Sequence, residues 1–576
     1  MITIQGKGVS AGVGIGPLYF YQRAQAALPR YTVEDTDAEW HRFKGAQTGA
    51  IEQLGELAEK ARAEAGDDAA LLFETHQMMA EDLDYEEAIE QRITEQKMNA
   101  EAAISDTADQ FAAMFEAMED TYMQARAADV RDVSRRLLDI LSGTVAGGIA
   151  SDVPVVLAAD DLAPSETIQM DKTKILGFIT AGGSGSSHTA ILARTLGIPA
   201  IVGVGAALKA DYAGREVIVD GSTGNIVIDP DDMTRDRLMK KREEALRLQR
   251  LLETLKGQPN ITKDGKTVRV YCNIASPEDV HAVQVNDGGG IGLFRSEFLY
   301  LNCDDFPGED QQFEAYKQVL ADMEDKEVII RTLDIGADKK IGYFGLPQEE
   351  NPALGMRALR ICLTRPEIFR TQLRALYRAS AFGKLGIMFP MVTSVWEVRE
   401  AKRICEEVRR ELKAEGVPYS EDVKLGIMIE TPAAVMVSDR LAKEVDFFSV
   451  GTNDLTQYTC ALDRQNAKLE PFANPHHPAV LREIKMTIDA GHRHGIWVGI
   501  CGELGADESL VETFLRMGID ELSVNPKSVL PLRKKIRSLD LSKPAAAVEG
   551  DEPDVKAKVE EKAKAKKAEK TEKAKE

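Results

Sequence analysis

The sequence predicts a multidomain α/β protein: an N-terminal α/β domain that carries an inserted helical domain, followed by a (β/α)8 TIM-type barrel. Three observations lead there. Eight short apolar runs, each followed by a stretch of helical spacing, recur between about residues 262 and 540, close to the roughly 250 residues plus insertions that such a barrel needs. A long helical stretch from about Val33 to Leu141 has few glycines and no proline. The segments on either side of it alternate short β-branched runs with turns. A chain of 576 residues is too long for one ordinary core and calls for about two to four domains.

Taken in order, residues 1–22 read as strand and turn, punctuated by Gly12, Gly14 and Gly16. Stretches such as EWHRFKGAQTGAIEQLGELAEKARAEA and DVRDVSRRLLDILSG then have helical spacing, which gives a helical bundle over 33–142. From Val153, PVVLAADDLAPSE, KILGFITAGGSGSSHTAILARTLGIPAIVG and GREVIVDGSTGNIVIDP return to an α/β pattern. The simplest arrangement joins 1–32 and 143–230 in one α/β domain with the helices inserted. A heavily charged linker helix spans 231–261. The barrel occupies 262–541, its strands expected at VRVYCNIAS, GIGLFRSEFLY, EVIIRTLDIGA, KLGIMFPMVTS, VKLGIMIETPAA, DFFSVGTNDLTQY, WVGICGELGA and ELSVNP. The tail, 542–576, is Lys, Ala and Glu with too few apolar residues to fold alone.

Composition narrows the function. Hydrophobic residues make up 44% and charged residues 29%, as in a folded soluble protein. A net charge of −22 repels nucleic acid and favours a basic protein partner. The six cysteines are scattered without a C-x-x-C pair, which suits free thiols in a reducing compartment. No signal peptide and no membrane-spanning apolar run is visible. The expected location is the cytoplasm.

The active site of a (β/α)8 barrel lies where its strands end. The polar residues there are Asn273, Arg295, Arg331 with Asp334, Glu430, Asn453 with Asp454, and Cys501; Arg357 and Arg464 fall in neighbouring loops. Several arginines at one mouth repel one another unless an anion neutralises them, and guanidinium groups bind carboxylate and phosphate in bidentate fashion. A phosphorylated carboxylic acid is thus a natural ligand. Glu430 and Asp454 offer the hard oxygens that Mg2+ takes when substrate and water complete its octahedron. Cys501 is placed to give a proton to a carbanion or enolate. Singly, each such residue is more often a surface ion pair or a buried thiol; the set carries the reading.

In GGSGSSHTAILAR a Gly/Ser loop precedes a helix that starts near His188. A helix N-terminus stabilises a phosphoryl group, and small residues let a donor approach. On these residues alone, His188 is equally a covalent phosphoryl carrier and an incidental histidine in a capped turn.

Together, ARAADVRDVSRRLL, LAPSET, SSHTAILAR, GIGLFRSEFLY, RTLDIGADK, NPALGMRALR, MFPMVTS, GIMIETPAA, DFFSVGTNDLTQY, DRQN, HHPAVL and GICGEL resemble Enzyme I of the bacterial phosphotransferase system, the phosphoenolpyruvate–protein phosphotransferases. The resemblance runs over about residues 1–540. It implies phosphoenolpyruvate-dependent phosphorylation of His188 with release of pyruvate, then transfer to a histidine of the carrier protein HPr, the first step of sugar uptake. It matches Arg295 and Arg331 to the phosphate-binding arginines and Glu430 and Asp454 to the Mg2+ ligands. Asn453, Arg464 and Arg357 match further substrate contacts, Asp454 lies among them, and Cys501 matches the proton donor that turns enolpyruvate into pyruvate. It also implies a phosphohistidine role for the α/β domain, HPr docking for the helical insert, and a homodimer formed through the barrel. The chain departs from the family pattern at Gly185, where an arginine is usual, at GELGAD beside Cys501, and in the tail. The related dikinases and synthases need an extra nucleotide-binding domain, for which no region is free.

Overall fold

Closely spaced glycines set how the chain begins. In the computed structural model, residues 2–20 form β1 (Ile2–Gln5), β2 (Lys7–Ser10) and β3 (Val13–Phe20). A Cβ at Gly14 would stand 1.9 Å from the Leu176 carbonyl oxygen, so glycine alone lets β3 pass that close to the neighbouring chain. The structure describes residues 1–21, 28–65, 67–118, 121–143, 151, 153–160, 162, 164–183, 190, 193–194, 197–301, 303, 305–339, 341–347, 349–464, 466, 468–469, 472–474 and 476–544. His188, Gly185 and the tail from 545 onward lie outside them.

The helical stretch gives α1 (Thr36–Ala65), α2 (Asp67–Ala80), α3 (Leu83–Thr94), α4 (Ala100–Glu116) and α5 (Thr121–Ser142). Their apolar faces meet around Phe43, Tyr85, Ile89, Ile104 and Leu137, the burial on which such helices depend. The chain then forms β4 (Val155–Ala159), α6 (Pro164–Gln169), β5 (Ile175–Thr180), β6 (Ala200–Val202), β7 (Glu216–Asp220) and β8 (Asn225–Ile228). The sheet order is β1-β8-β7-β3-β4-β5-β6-β2. Strands β3 and β4 pair in parallel, with Leu18 opposite Val156. The five helices therefore leave and re-enter the sheet between adjacent strands. The charged helix α7 (Asp232–Glu253) buries Leu238 alone among its side chains.

By contacts the chain divides into two compact units, Met1–Gln249 and a second that begins at Arg250. In the second, each of the eight apolar runs supplies a strand: β9 (Arg269–Ile274), β10 (Ile291–Arg295), β11 (Glu327–Arg331), β12 (Lys384–Phe389), β13 (Lys424–Ile429), β14 (Phe447–Val450), β15 (Trp497–Ile500) and β16 (Glu521–Val524). All pair in parallel, and β16 closes the barrel on β9 with Leu522 opposite Val270. Alternation along each strand splits the core in two. Residues such as Val270, Ile330, Ile427 and Val498 pack outward under the helices. Leu293, Ile329, Met388, Met428, Phe447 and Cys501 fill the interior. At the N-terminal end, Trp497 stacks on Phe447 at 4.7 Å between centroids and Arg269 covers Trp497 at 4.9 Å.

All six cysteines are free. Among the described residues no helix is long and apolar enough to cross a membrane.

Candidate active site at the C-terminal rim of the barrel

Parallel strands deliver their last residues to one rim. Arg295 and Arg331 end β10 and β11, and Glu430 and Cys501 directly follow β13 and β15. Asn453 and Asp454 lie in the first turn of the helix Thr452–Thr459 that follows β14. Arg357 is tied back to the β11 loop, where it bridges Gly336, and Ala358 N–H donates to Ile335 O at 2.9 Å.

The four arginines fall into two kinds. Arg331 is 9% exposed; its Nη2 pairs with Glu297 Oε1 at 3.0 Å and its Nη1 with Asp334 Oδ2 at 2.9 Å. Arg357 pairs through Nε with Asp334 Oδ1 at 2.8 Å and through Nη1 with Asp454 Oδ1 at 3.2 Å. Arg295 and Arg464 are exposed, and among the described residues neither guanidinium has an ion-pair partner. The expected mutual repulsion is thus partly removed by the protein itself, because Glu297, Asp334 and Asp454 neutralise the two buried arginines. Burial alone would raise the Asp334 carboxyl, but Arg331 and Arg357 overcome it and hold its pKa at about 2.

Glu430 is fully buried. Its Oε1 accepts from Met391 N–H at 2.6 Å, and Met391 holds a φ of +57°, a strained setting of the kind found at functional sites. Its Oε2 has no hydrogen-bond partner among the described residues. A Cβ at Gly451 would come within 2.9 Å of that oxygen, so glycine keeps the space between Glu430 and the Asp454 turn clear. Burial, reinforced by the charges of Asp334 and Asp454, pushes the Glu430 carboxyl up to about 8. Among the described residues no group of three or more His, Cys, Asp or Glu side chains is poised for a metal. Two carboxylates with a free buried oxygen suit Mg2+, which takes few protein ligands and completes its shell with substrate and water.

Cys501 is 2% exposed. Burial pushes its thiol up to about 12, so it keeps its proton at neutral pH. Asn273 Nδ2 donates to its carbonyl at 2.9 Å. Asn453 does not stand free: its Nδ2 donates to Glu503 Oε1 at 3.2 Å and its Oδ1 accepts from Glu503 N–H at 3.0 Å. That pair ties the turn after β14 to the turn after β15. Glu297, Glu503 and Tyr458, whose hydroxyl lies 3.4 Å from Arg357 Nη1, were not singled out from sequence. Glu297 lies two residues beyond Arg295 in sequence but pairs with Arg331, 34 residues away.

Three family models match the chain: the PEP-binding domain of PEP-utilising enzymes over 249–541, their N-terminal domain over 5–126 and their mobile domain over 152–224. A phosphoenolpyruvate-protein phosphotransferase of Staphylococcus carnosus is 44% identical over 540 residues, covering 94% of each chain. The chain belongs to this family of PEP-utilising enzymes. Proteins of the same name from Bacillus subtilis and Enterococcus faecalis are 42% and 43% identical, each covering 94% of this chain and 95% of the relative. The three matched segments of the PEP-utilising family span both compact units, and the segment matched as PEP-binding contains the whole rim just described.

Proposed function

We propose that this chain is a phosphoenolpyruvate–protein phosphotransferase: it phosphorylates His188 from phosphoenolpyruvate, releases pyruvate, and passes the phosphoryl group to a histidine of HPr. The observation that carries the reading is the rim, where two open arginines stand beside two that carboxylates hold rigid, next to a buried carboxylate with a free oxygen. Family membership over nearly the whole chain supports it.

In this reading Arg295 and Arg331 bind the phosphate and Arg357, Arg464 and Asp454 make further substrate contacts, Arg331 and Arg357 being fixed by Asp334 so that their positive charge needs no reorganisation. Glu430 and Asp454 would hold Mg2+, which neutralises charge on the transferring phosphoryl group. Asn453 orients the substrate through its tie to Glu503. His188 attacks phosphorus in line, and Cys501 gives its thiol proton to C3 of the departing enolate. We further assign the phosphohistidine domain to 1–32 and 143–230, HPr docking to 33–142, the linker to 231–261, and PEP binding and dimerisation to the barrel at 262–541. The net charge of −22 favours a carrier with a basic face, and the protein works in the cytoplasm.

The test is labelling of the purified protein with 32P-phosphoenolpyruvate and Mg2+, beside His188→Ala. Acid-labile, base-stable label with stoichiometric pyruvate, both lost in the variant, is expected. Absence of label on well-folded wild type overturns the reading.

A further inference from the structure

Below the rim, the barrel interior holds a second carboxyl with no assigned work. Glu521, on β16, is 1% exposed, and its Oε1 has no hydrogen-bond partner among the described residues. Two glycines make room for it. A Cβ at Gly499 would lie 1.9 Å from Glu521 Oε2, and one at Gly292 would lie 2.6 Å from Oε1. Gly499 is the register partner of Glu521 and stands two residues before Cys501, which follows β15 and packs in the barrel interior. The carboxyl therefore sits one layer beneath the Cys501 thiol, about 6.6 Å along the strand.

The lining between and around them is polar. Ser449 Oγ, on β14 and opposite Gly499, lies beside the Cys501 thiol and acts to lower its pKa against burial. Ser449 Oγ, Ser523 Oγ and Asn273 Oδ1 are buried and, like Glu521 Oε1, lack hydrogen-bond partners among the described residues. A dry barrel core leaves no reason for four such atoms, since each unsatisfied group costs free energy. On the far side, Tyr271 donates to Glu327 Oε2 at 3.1 Å, and Arg269 approaches the same carboxylate at 3.8 Å. Their side chains are partly exposed at 43% for Arg269 and 24% for Glu327, so this end reaches solvent. Burial raises the Glu521 carboxyl well above its ordinary range, with Glu327 adding to the effect and Arg269 opposing it.

We propose that Glu521 is the proton source that recharges Cys501, through a relay inside the barrel. The proposal rests on the reading of Cys501 as the proton donor. When the Cys501 S–H proton passes to C3 of enolpyruvate, the C=C electron pair forms the new C–H bond and a thiolate remains. The Ser449 hydroxyl gives its proton to that thiolate as the thiol leaves Val450 O, its partner at 3.7 Å. It is reprotonated from the Glu521 carboxyl through water held among those four buried polar atoms. The Glu521 carboxylate then regains a proton from solvent by way of Tyr271 and Glu327 at the N-terminal end. One solvent proton is consumed for each pyruvate. Glu521 acts through Cys501 and does not touch substrate.

The test is rapid-quench measurement of pyruvate with excess phosphoenolpyruvate, Mg2+ and a histidine-containing phosphoryl acceptor, comparing wild type with Glu521→Gln. The variant is expected to form one pyruvate per chain at the wild-type rate and then to slow by about 10-fold or more, with a larger solvent deuterium isotope effect on the slow phase. A linear course at the wild-type rate overturns the relay. So does equal slowing of first and later turnovers, which marks a merely structural role. Should Glu521→Gln not fold, Ser449→Ala must give the same burst, and its absence overturns the relay. Two controls separate this from the underlying reading: no label on wild-type His188 sinks the enzyme itself, and normal pyruvate formation by Cys501→Ala sinks the donor.

Discussion

Asp334 Oδ2 lies 2.9 Å from Arg331 Nη1 while its Oδ1 lies 2.8 Å from Arg357 Nε, so a single carboxylate fixes both buried guanidinium groups. Removing it leaves two buried charges under-compensated. Asp334→Ala is expected to lower the unfolding free energy of the protein by about 3–5 kcal/mol, read from denaturant titration at neutral pH. The pH dependence has a definite sign. The Asp334 carboxyl is held at about 2, below its ordinary value near ~3.9, so its contribution is present above pH ~4 and lost as pH falls through about 2. The stability gap between wild type and Asp334→Asn should therefore shrink as acid is added; a gap that widens contradicts the ion-pair account.

Arg295 and Arg331 end adjacent strands but should respond to mutation in different ways. Arg295→Ala removes an exposed side chain and is expected to change stability by less than about 0.5 kcal/mol. It should nonetheless weaken phosphoenolpyruvate by about 10- to 100-fold, the worth of a charge-assisted contact. Arg331→Ala should lower both stability and activity, because Glu297 and Asp334 lose their counter-ion. Calorimetry of folding, paired with substrate titration of the initial rate, separates the two outcomes.

Glu430→Gln keeps an oxygen for Met391 N–H and removes the carboxyl whose proton, held on by burial, a cation would displace. We expect the fold to persist and Mg2+ affinity to fall by about 10-fold or more, ~1.4 kcal/mol, in direct metal titration of the purified protein. Unchanged affinity would move the metal site away from Glu430.

Gly426 on β13 is a packing glycine. A Cβ there would lie 2.3 Å from the ring of Phe447, which is itself clamped by Trp497. Gly426→Ala should cost about 1–3 kcal/mol through overpacking, measured as a fall in the thermal midpoint, with phosphoenolpyruvate affinity little altered because the glycine lies away from the rim.

The barrel was legible in the sequence because its eight strands are short, apolar, and each followed by helical periodicity. Rim residues such as Arg331, Glu430 and Cys501 could be placed because the end of a parallel strand fixes where its last side chain goes. The insertion was legible as a change of period at Val33 and again at Val153. What the sequence hid were the partnerships. Glu297 meets Arg331 across a separation of 34 residues, and Asp454 meets Arg357 across 97; no local spacing encodes either. Nor could the pattern tell that Arg331 and Arg357 are neutralised while Arg295 and Arg464 stay open. Glu521 escaped notice for a related reason: ELSVNP reads as an apolar strand, and only the closed barrel reveals that its first residue points inward against two glycines.

The pairing of β3 with β4 around five inserted helices has a consequence for how the chain is made. Strands β1–β3 leave the ribosome before their partners, which come from residues 155–228. At about 5–20 residues per second, the first strands wait on the order of ten seconds or more with their edges unpaired, while α1–α5 close local contacts that need no later sequence. Nascent-chain edges of that kind invite pairing with other chains. The pace of translation across 36–142 thus sets how long those edges stand unpaired, whatever the stability of the finished unit.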